Sequence, residues 1–213
     1  MLPHMVGRII ETEDDVAEGV EHLARRCPYL AKAYALTGEL PLRRRPDGFA
    51  ELLNAIISQQ VSVASAGAVQ GRMEAAGLTR PAAIEAASDE ALRAAGLSRQ
   101  KARYARALVA ADIDYAALRS ASDDEVVATL TQVPGIGVWT AEIYAMFSLG
   151  RADIFAPGDL AMQESARILY DLPERPKPRA FREMAQAWSP WRAVAARLLW
   201  AYYQSVKDRE GIR

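Results

Sequence analysis

Cysteine, long apolar runs and net charge are nearly absent from this sequence, and each absence excludes a class of protein. The chain has a single cysteine, Cys27, which excludes an intrachain disulfide, a four-cysteine iron–sulfur cluster and a cysteine-rich zinc site. No apolar run approaches membrane-spanning length, and the N-terminus lacks the ordered segments of a secretory signal. We therefore expect a protein without membrane contact, located in the cytoplasm or nucleoid, or in the nucleus if eukaryotic.

The net charge of −1 shows no general basic excess, so a surface that binds nucleic acid must be local. Apolar residues make up 51% of the 213 positions. A chain of this length and composition can build a substantial core as one large domain or two small ones.

The most informative stretch is a glycine turn between two helical patterns. Apolar residues from Val126 to Val133 recur at helical spacing, and Pro134 is expected to end that helix. Gly135 and Gly137 allow the chain to reverse within a few residues and leave its amides uncovered. The next helix is expected to begin near Val138.

Two interpretations of this turn are compatible with the pattern. In a helix-hairpin-helix, the uncovered amides at a helix N-terminus bind a phosphate or another anion. In the simpler interpretation, the glycines only connect two antiparallel helices, because glycine turns are common punctuation.

A second turn, Pro157-Gly158, places Asp159 directly before an amphipathic helical run. At this spacing the commoner role of an aspartate is to cap the helix by accepting an amide hydrogen bond. A catalytic carboxylate is the alternative, and Asp153 is a rival acid nearby.

A weak internal repeat precedes the hairpin, with Gly96 aligned on Gly135 and Ala102 on Ala141. Here Arg99 and Lys101 follow the glycine, and cations at this place can hold a DNA backbone without reading its sequence. A solvent-facing helix explains them equally well.

Three further signals are weak by themselves. Gln60 lies in a polar interruption between two helical runs, where an amide can probe a base edge or form loop hydrogen bonds. The basic run Arg43–Arg45 lies in a loop and can meet phosphates or remain solvated. Trp200 belongs to a C-terminal helix whose aromatic residues are more often core than part of a ligand pocket.

Three motifs in this order, LTQVPGIGVWTA, DIFAPGD and WSPWRAVAARLLWAYY, resemble the helix-hairpin-helix DNA glycosylases. Within that superfamily the chain resembles the DNA-3-methyladenine glycosylase II group, over roughly Phe49–Tyr203. The resemblance implies an all-α fold of two helical subdomains with an active-site cleft between them and no N-terminal sheet domain. We expect a single unit over 1–213, with subdomains 49–158 and 1–48 plus 159–213.

The resemblance also implies roles for individual residues. Asp159 takes the place of the catalytic acid, and Asp153 is structural. Trp139 and Trp200 fall on the tryptophan positions of the base pocket. Gln60 occupies the position of the wedge that fills the gap left by a flipped nucleotide, where some relatives have leucine.

The hairpin glycines Gly135 and Gly137 are expected to contact the DNA backbone, as are Arg99 and Lys101. The resemblance further implies a structural monovalent cation, Na or K, bound by the carbonyls of Val133 and Ile136. No other cofactor is expected.

The predicted function is that of a monofunctional DNA glycosylase. It flips cationic alkylated purines such as 3-methyladenine out of double-stranded DNA and hydrolyses the N-glycosidic bond, which starts base excision repair. Bifunctional relatives carry a lysine where this chain has Trp139, so no strand cleavage at abasic sites is expected. A noncatalytic helix-hairpin-helix DNA-binding protein is the alternative, and we expect a monomer in either case.

Overall fold

A computed structural model describes residues 6–210, with side chains through Asp208, and the fold of this part is helical. The prediction of an all-α fold is confirmed. Within these residues thirteen α-helices follow one another in chain order: α1 Glu13–Arg26, α2 Pro28–Thr37, α3 Phe49–Ser58, α4 Val63–Ala75, α5 Pro81–Ala86, α6 Asp89–Ala94, α7 Arg99–Ala110, α8 Tyr115–Ser120, α9 Asp123–Thr131, α10 Val138–Phe147, α11 Leu160–Leu169, α12 Pro178–Met184 and α13 Arg192–Glu210.

The chain separates into two compact units. Arg45–Tyr144 forms unit 1, and Val6–Arg44 together with the chain from Ala145 onward forms unit 2. No helix among the described residues combines the length and the apolar character needed to cross a membrane.

Unit 1 is built on the apolar face of α3. Phe49, Leu52, Leu53, Ile56 and Ile57 are all buried, as their helical spacing predicts, and α3 packs against α4 and α7. By contrast, α4 buries only Ala66 and Met73, so this helix is peripheral.

Unit 2 is organised around α13, which packs against α2 and α11. Beside these helices, the rings of Phe155, Phe181 and Trp188 meet edge to face, with centroids 5.0 to 6.0 Å apart. Such pairs stabilise a core beyond the apolar area that they bury.

The segment before α1 is held against the rest of unit 2. Its residues show no helical periodicity, yet Ile10 is fully buried. Ile10 N donates to Gly150 O at 2.7 Å, and Ala152 N donates to Arg8 O at 3.0 Å. Backbone pairing, which leaves no pattern in side chains, therefore holds residues 8–10; residues 1–5 lie outside the described part.

The first helix begins at a reciprocal cap. Thr12 accepts from Asp15 N, and Asp15 Oδ2 accepts from the backbone amides of Glu11 and Thr12 at 3.0 and 2.9 Å. Arg8 donates to Asp15 Oδ1 at 3.0 Å. The hydrogen bond from the Glu11 amide, followed by that from Arg8, holds the pKa of Asp15 well below its usual range.

This cap gives a pH-dependent prediction. Because the pKa of Asp15 is lower in the folded chain, its stabilisation is present above the unfolded value of about 3.9 and is lost as the pH falls toward the folded value. We expect Asp15→Asn to lower the free energy of unfolding by about 1 kcal/mol or more at pH 7, and by less at pH 3, in denaturant titrations. The exposed neighbour Asp14 supplies the control, Asp14→Asn. An Asp15→Asn loss that is the same at both pH values contradicts the assignment.

Candidate functional site

Asp159 lies at the N-terminus of α11, after a tight turn in which its own amide donates to Ala156 O at 3.1 Å. Its Oδ1 accepts from Met162 N at 2.9 Å and from the indole Nε1 of Trp200 at 3.1 Å. The capping interpretation of this aspartate is therefore correct, and it does not exclude chemistry. The residue is partly exposed, so its carboxylate is oriented by two donors while it can still be approached.

Trp200, which donates to Asp159, lies next to Phe147, and the centroids of the two rings are 5.8 Å apart. On Phe147 lies the guanidinium of Arg197, 4.8 Å from the ring centroid. Arg197 is buried and donates to the carbonyls of Leu42 and Ala193. Burial, reinforced by the charges of Arg43 and Arg44, lowers the pKa of Arg197 to about 10.

Asp153, the rival acid, is engaged in a different way. It accepts a two-pronged pair from Arg192 Nε and Nη2 at 2.8 and 3.0 Å and a third hydrogen bond from Ser189 Oγ at 2.8 Å. Such a fork fixes geometry as well as charge. Its contacts are those of a structural residue that anchors the start of α13.

The hairpin has the geometry that the glycines predict. Helix α9 ends at Thr131 and α10 begins at Val138. Gly135 has a φ of 94°, and a Cβ there would lie 2.4 Å from the ring of Tyr104, so both its conformation and its packing require glycine. Gln59 Nε2 donates to Gly135 O at 2.7 Å. Around Gly137 there is open space.

A cavity of about 540 Å³ opens beside this turn in unit 1. Its lining brings together the hairpin residues 135–137, the glutamines Gln59 and Gln60, and Lys101 of α7. Gln60 is exposed and has a φ of 56°, which is uncommon for a residue with a side chain and is characteristic of functional turns. The predicted wedge and the predicted hairpin thus lie on one surface.

Two cations of α7 point in different directions. Lys101 Nζ donates to Ile57 O at 2.6 Å, which satisfies a carbonyl at the end of α3, and burial lowers its pKa. Arg99 is exposed. Their predicted contacts with the DNA backbone remain predictions, although Lys101 already has a structural role.

The repeat predicted around Gly96 is visible in the backbone. Gly96 has a φ of 103°, close to the 94° of Gly135, and the following Leu97 and Ile136 are both buried. Ser98 then caps α7 by accepting from Lys101 N at 3.2 Å. The two turns are therefore similar in conformation as well as in sequence.

Trp139 is the second residue of α10 and is 48% exposed. It belongs to unit 1, whereas Asp159 and Trp200 belong to unit 2. Its role in a base pocket stays a prediction.

The basic loop is partly structural. Arg44 Nη1 donates to Ser148 O at 3.0 Å, and Arg45 pairs with Glu51 at 3.3 Å. These contacts give the two arginines a purpose without a phosphate.

The predicted cation ligands have suitable chemistry. Backbone carbonyls are hard oxygen donors of the kind that Na and K take. Val133 O accepts from Ile136 N at 3.0 Å and, having two lone pairs, retains capacity for an ion. Among the described residues, no cluster of three or more His, Cys, Asp or Glu side chains could hold a metal.

Sequence reasoning missed several residues of this site. The polar interruption contains both Gln59 and Gln60, and only Gln60 is predicted as a site residue. Phe147 and Tyr104 resemble ordinary core positions in an apolar pattern. Arg197 had no signal at all, because an arginine in a helix is normally exposed.

Known proteins share both the sequence and the fold. DNA-3-methyladenine glycosylase 1 of Schizosaccharomyces pombe is 29% identical over 165 residues, covering 73% of this chain and 72% of the relative. DNA-3-methyladenine glycosylase 2 of Escherichia coli is 27% identical over 168 residues, covering 72% and 57%.

Two solved structures are similar over most of the chain. DNA-3-methyladenine glycosidase from Bacillus halodurans has a TM-score of 0.80 and 32% identity, and the match covers 95% of each chain. The S. pombe 3-methyladenine DNA glycosylase, solved in complex with abasic DNA, has a TM-score of 0.73 and 28% identity, covering 86% of this chain and 95% of that one.

The family described as HhH-GPD superfamily base excision DNA repair protein matches residues 53–191. This range is more than half of the chain and contains the hairpin and the turn before Asp159. The chain belongs to the HhH-GPD superfamily of base excision DNA repair proteins.

Proposed function

We propose that this protein is a monofunctional DNA glycosylase of the DNA-3-methyladenine type, which removes cationic alkylated purines from double-stranded DNA. The observation that carries the proposal is the placement of Asp159, which is oriented by the N-terminus of α11 and by the indole N–H of Trp200. A cap alone does not need the second donor. The names of the relatives support the same class of substrate.

The reaction needs little acid catalysis. When the C1′–N bond of an N3- or N7-alkylated purine breaks, its electron pair passes to a base that is already cationic, so the base leaves neutral. A water oxygen forms the new bond to C1′ and loses its proton. The developing positive charge on the sugar is what the protein must stabilise.

Asp159 can act on this transition state in two ways. Its carboxylate can stabilise the oxocarbenium-like sugar electrostatically, or it can orient the water and accept its proton. Both need a fixed carboxylate, which the hydrogen bonds to Met162 N and Trp200 Nε1 supply.

The other predicted site residues would bind the DNA and select the damaged base. The indoles of Trp139 and Trp200 would hold a cationic base by stacking and cation–π attraction, worth about 1 kcal/mol or more when desolvated. Gln60 would fill the space left by the flipped nucleotide. A monovalent cation held by the Val133 and Ile136 carbonyls would supply positive charge for a DNA phosphate.

The first test replaces Asp159 with asparagine. Asparagine is also a good N-cap, so the thermal midpoint should change little while release of 3-methyladenine from methylated DNA falls by about 100-fold or more. The comparison variant is Asp153→Asn, which weakens the paired contact with Arg192. It should lower the thermal midpoint but should still release base at temperatures well below that midpoint.

The outcomes of this test separate the alternatives. Release by Asp159→Asn at the wild-type rate removes Asp159 from the chemistry. Wild-type protein that binds DNA but releases no base would instead support a noncatalytic DNA-binding protein.

The second test concerns strand cleavage. With a tryptophan where bifunctional relatives have lysine, borohydride treatment of the protein with abasic DNA should trap no covalent adduct, whereas a bifunctional glycosylase run in parallel should give one. A trapped adduct contradicts the monofunctional assignment.

The third test uses the two hairpin glycines as a matched pair. At Gly137 a Cβ meets nothing within 4 Å, so Gly137→Ala should keep the thermal midpoint but weaken DNA binding by obstructing the approach of a phosphate to the amides. Gly135→Ala should destabilise the fold by about 1–3 kcal/mol, because of its positive φ and the Tyr104 ring. Unchanged DNA affinity in Gly137→Ala contradicts backbone contact at the hairpin.

A further inference from the structure

Four arginines of unit 1 form a patch beside the Gly96 turn. Arg99, Arg103 and Arg106 are spaced four and three residues apart, which places them on one face of α7, and Arg93 approaches from α6. With Asp89 and Ala102 they line a cavity of about 300 Å³. We call these four residues the arginine patch.

Two of the four charges are compensated within the fold. Arg106 pairs with Asp89 at 2.9 Å and donates to Ala87 O at 2.8 Å, which secures the end of α5. Arg93 pairs with Glu90 at 2.9 Å. These contacts explain both residues without a ligand.

Arg99 and Arg103 differ from the other two. Both are exposed, and within the described part of the chain neither side chain makes a hydrogen bond or an ion pair. Like charges four residues apart oppose each other on a helix. The fold therefore gains nothing from this pair in the absence of an anion.

The position of Arg99 at the start of α7 is unfavourable for a second reason. It is the first residue of α7, where the helix dipole disfavours a cation, and the first turn of α7 contains no acid. In the companion hairpin, the corresponding helix α10 also has no acid in its first turn. An anion bound at the Gly96 turn would reduce the repulsion between Arg99 and Arg103 and would also offset the unfavourable interaction of Arg99 with the helix dipole.

The location identifies the anion. Ser98, Gln100 and Lys101, from the same turn and helix, line the cavity that also contains hairpin residues 135–137. One side of α7 therefore faces the hairpin surface, and the adjoining side carries Arg99 and Arg103. A polyanion that reaches the hairpin and continues past α7 meets both.

We propose that Arg99 and Arg103 bind a phosphodiester of the DNA duplex outside the α9–α10 hairpin, so that the two similar turns of unit 1 hold the DNA backbone at two places. The inference rests on the proposed DNA-binding function and extends it to a second contact. It also explains how a chain of net charge −1 gains attraction for DNA from a local surface.

The test measures how the affinity for an undamaged duplex depends on salt. For Arg99→Gln/Arg103→Gln, the slope of log K against log salt should decrease in magnitude by about 0.9 for each phosphate that the variant no longer neutralises, and the affinity should weaken about tenfold or more at low salt. Arg99→Lys/Arg103→Lys keeps both charges and should retain most of the affinity. The thermal midpoint should stay unchanged because both side chains are exposed.

The matched control is Arg26→Gln/Arg80→Gln, which removes two exposed arginines elsewhere and changes the net charge equally. A slope that changes only in the patch variant supports the proposal. Equal changes in the two double variants, or none in either, overturn it and leave the patch as a solvated surface. Binding is measured without base release, so a failure of the proposed catalysis would leave this result interpretable.

Discussion

The candidate site depends on one carboxylate oxygen that serves two helices. Asp159 Oδ1 accepts the amide of Met162, which fixes the start of α11, and the indole of Trp200, which lies in the middle of α13. The two side chains are 41 positions apart in the sequence. Because α11 and α13 pack together, this shared acceptor links the core of unit 2 to the group that we propose for catalysis. Capping and chemistry are therefore not competing roles for this residue.

The two glycines of the hairpin have different roles. Gly135 is required by its φ and by the Tyr104 ring beneath it, whereas Gly137 is surrounded by open space. The first glycine thus serves the fold, and the second leaves the turn accessible. A pattern of two glycines in one turn does not reveal this division, because only the neighbouring helix α7 decides which glycine is covered.

Local features of the fold and site could be predicted from sequence, and long-range partners could not. The Pro157-Gly158-Asp159 turn predicts a cap because the cap and its donor are three residues apart. The apolar face of α3 and the limits of α9 and α10 also follow from local spacing. In contrast, the indole that reaches Asp159, the fork between Asp153 and Arg192, and the docked segment at residues 8–10 depend on packing. The hydrogen bond from Lys101 to Ile57 O also depends on packing, since nothing in the local sequence shows that this carbonyl lies within reach of the lysine.

The distribution of charge connects these observations. Several cations close to the candidate residues are already engaged: Arg44 and Arg197 hold carbonyls, Arg192 holds Asp153, and Lys101 holds Ile57 O. A simple count of basic residues therefore overestimates the charge that is available to DNA. What distinguishes Arg99 and Arg103 is that no contact within the described fold accounts for them. In a chain with no general basic excess, two exposed arginines without a structural partner on one helix face, beside the hairpin surface, indicate binding better than the length of a basic run does. In the run 43–45, Arg44 and Arg45 are already engaged within the fold.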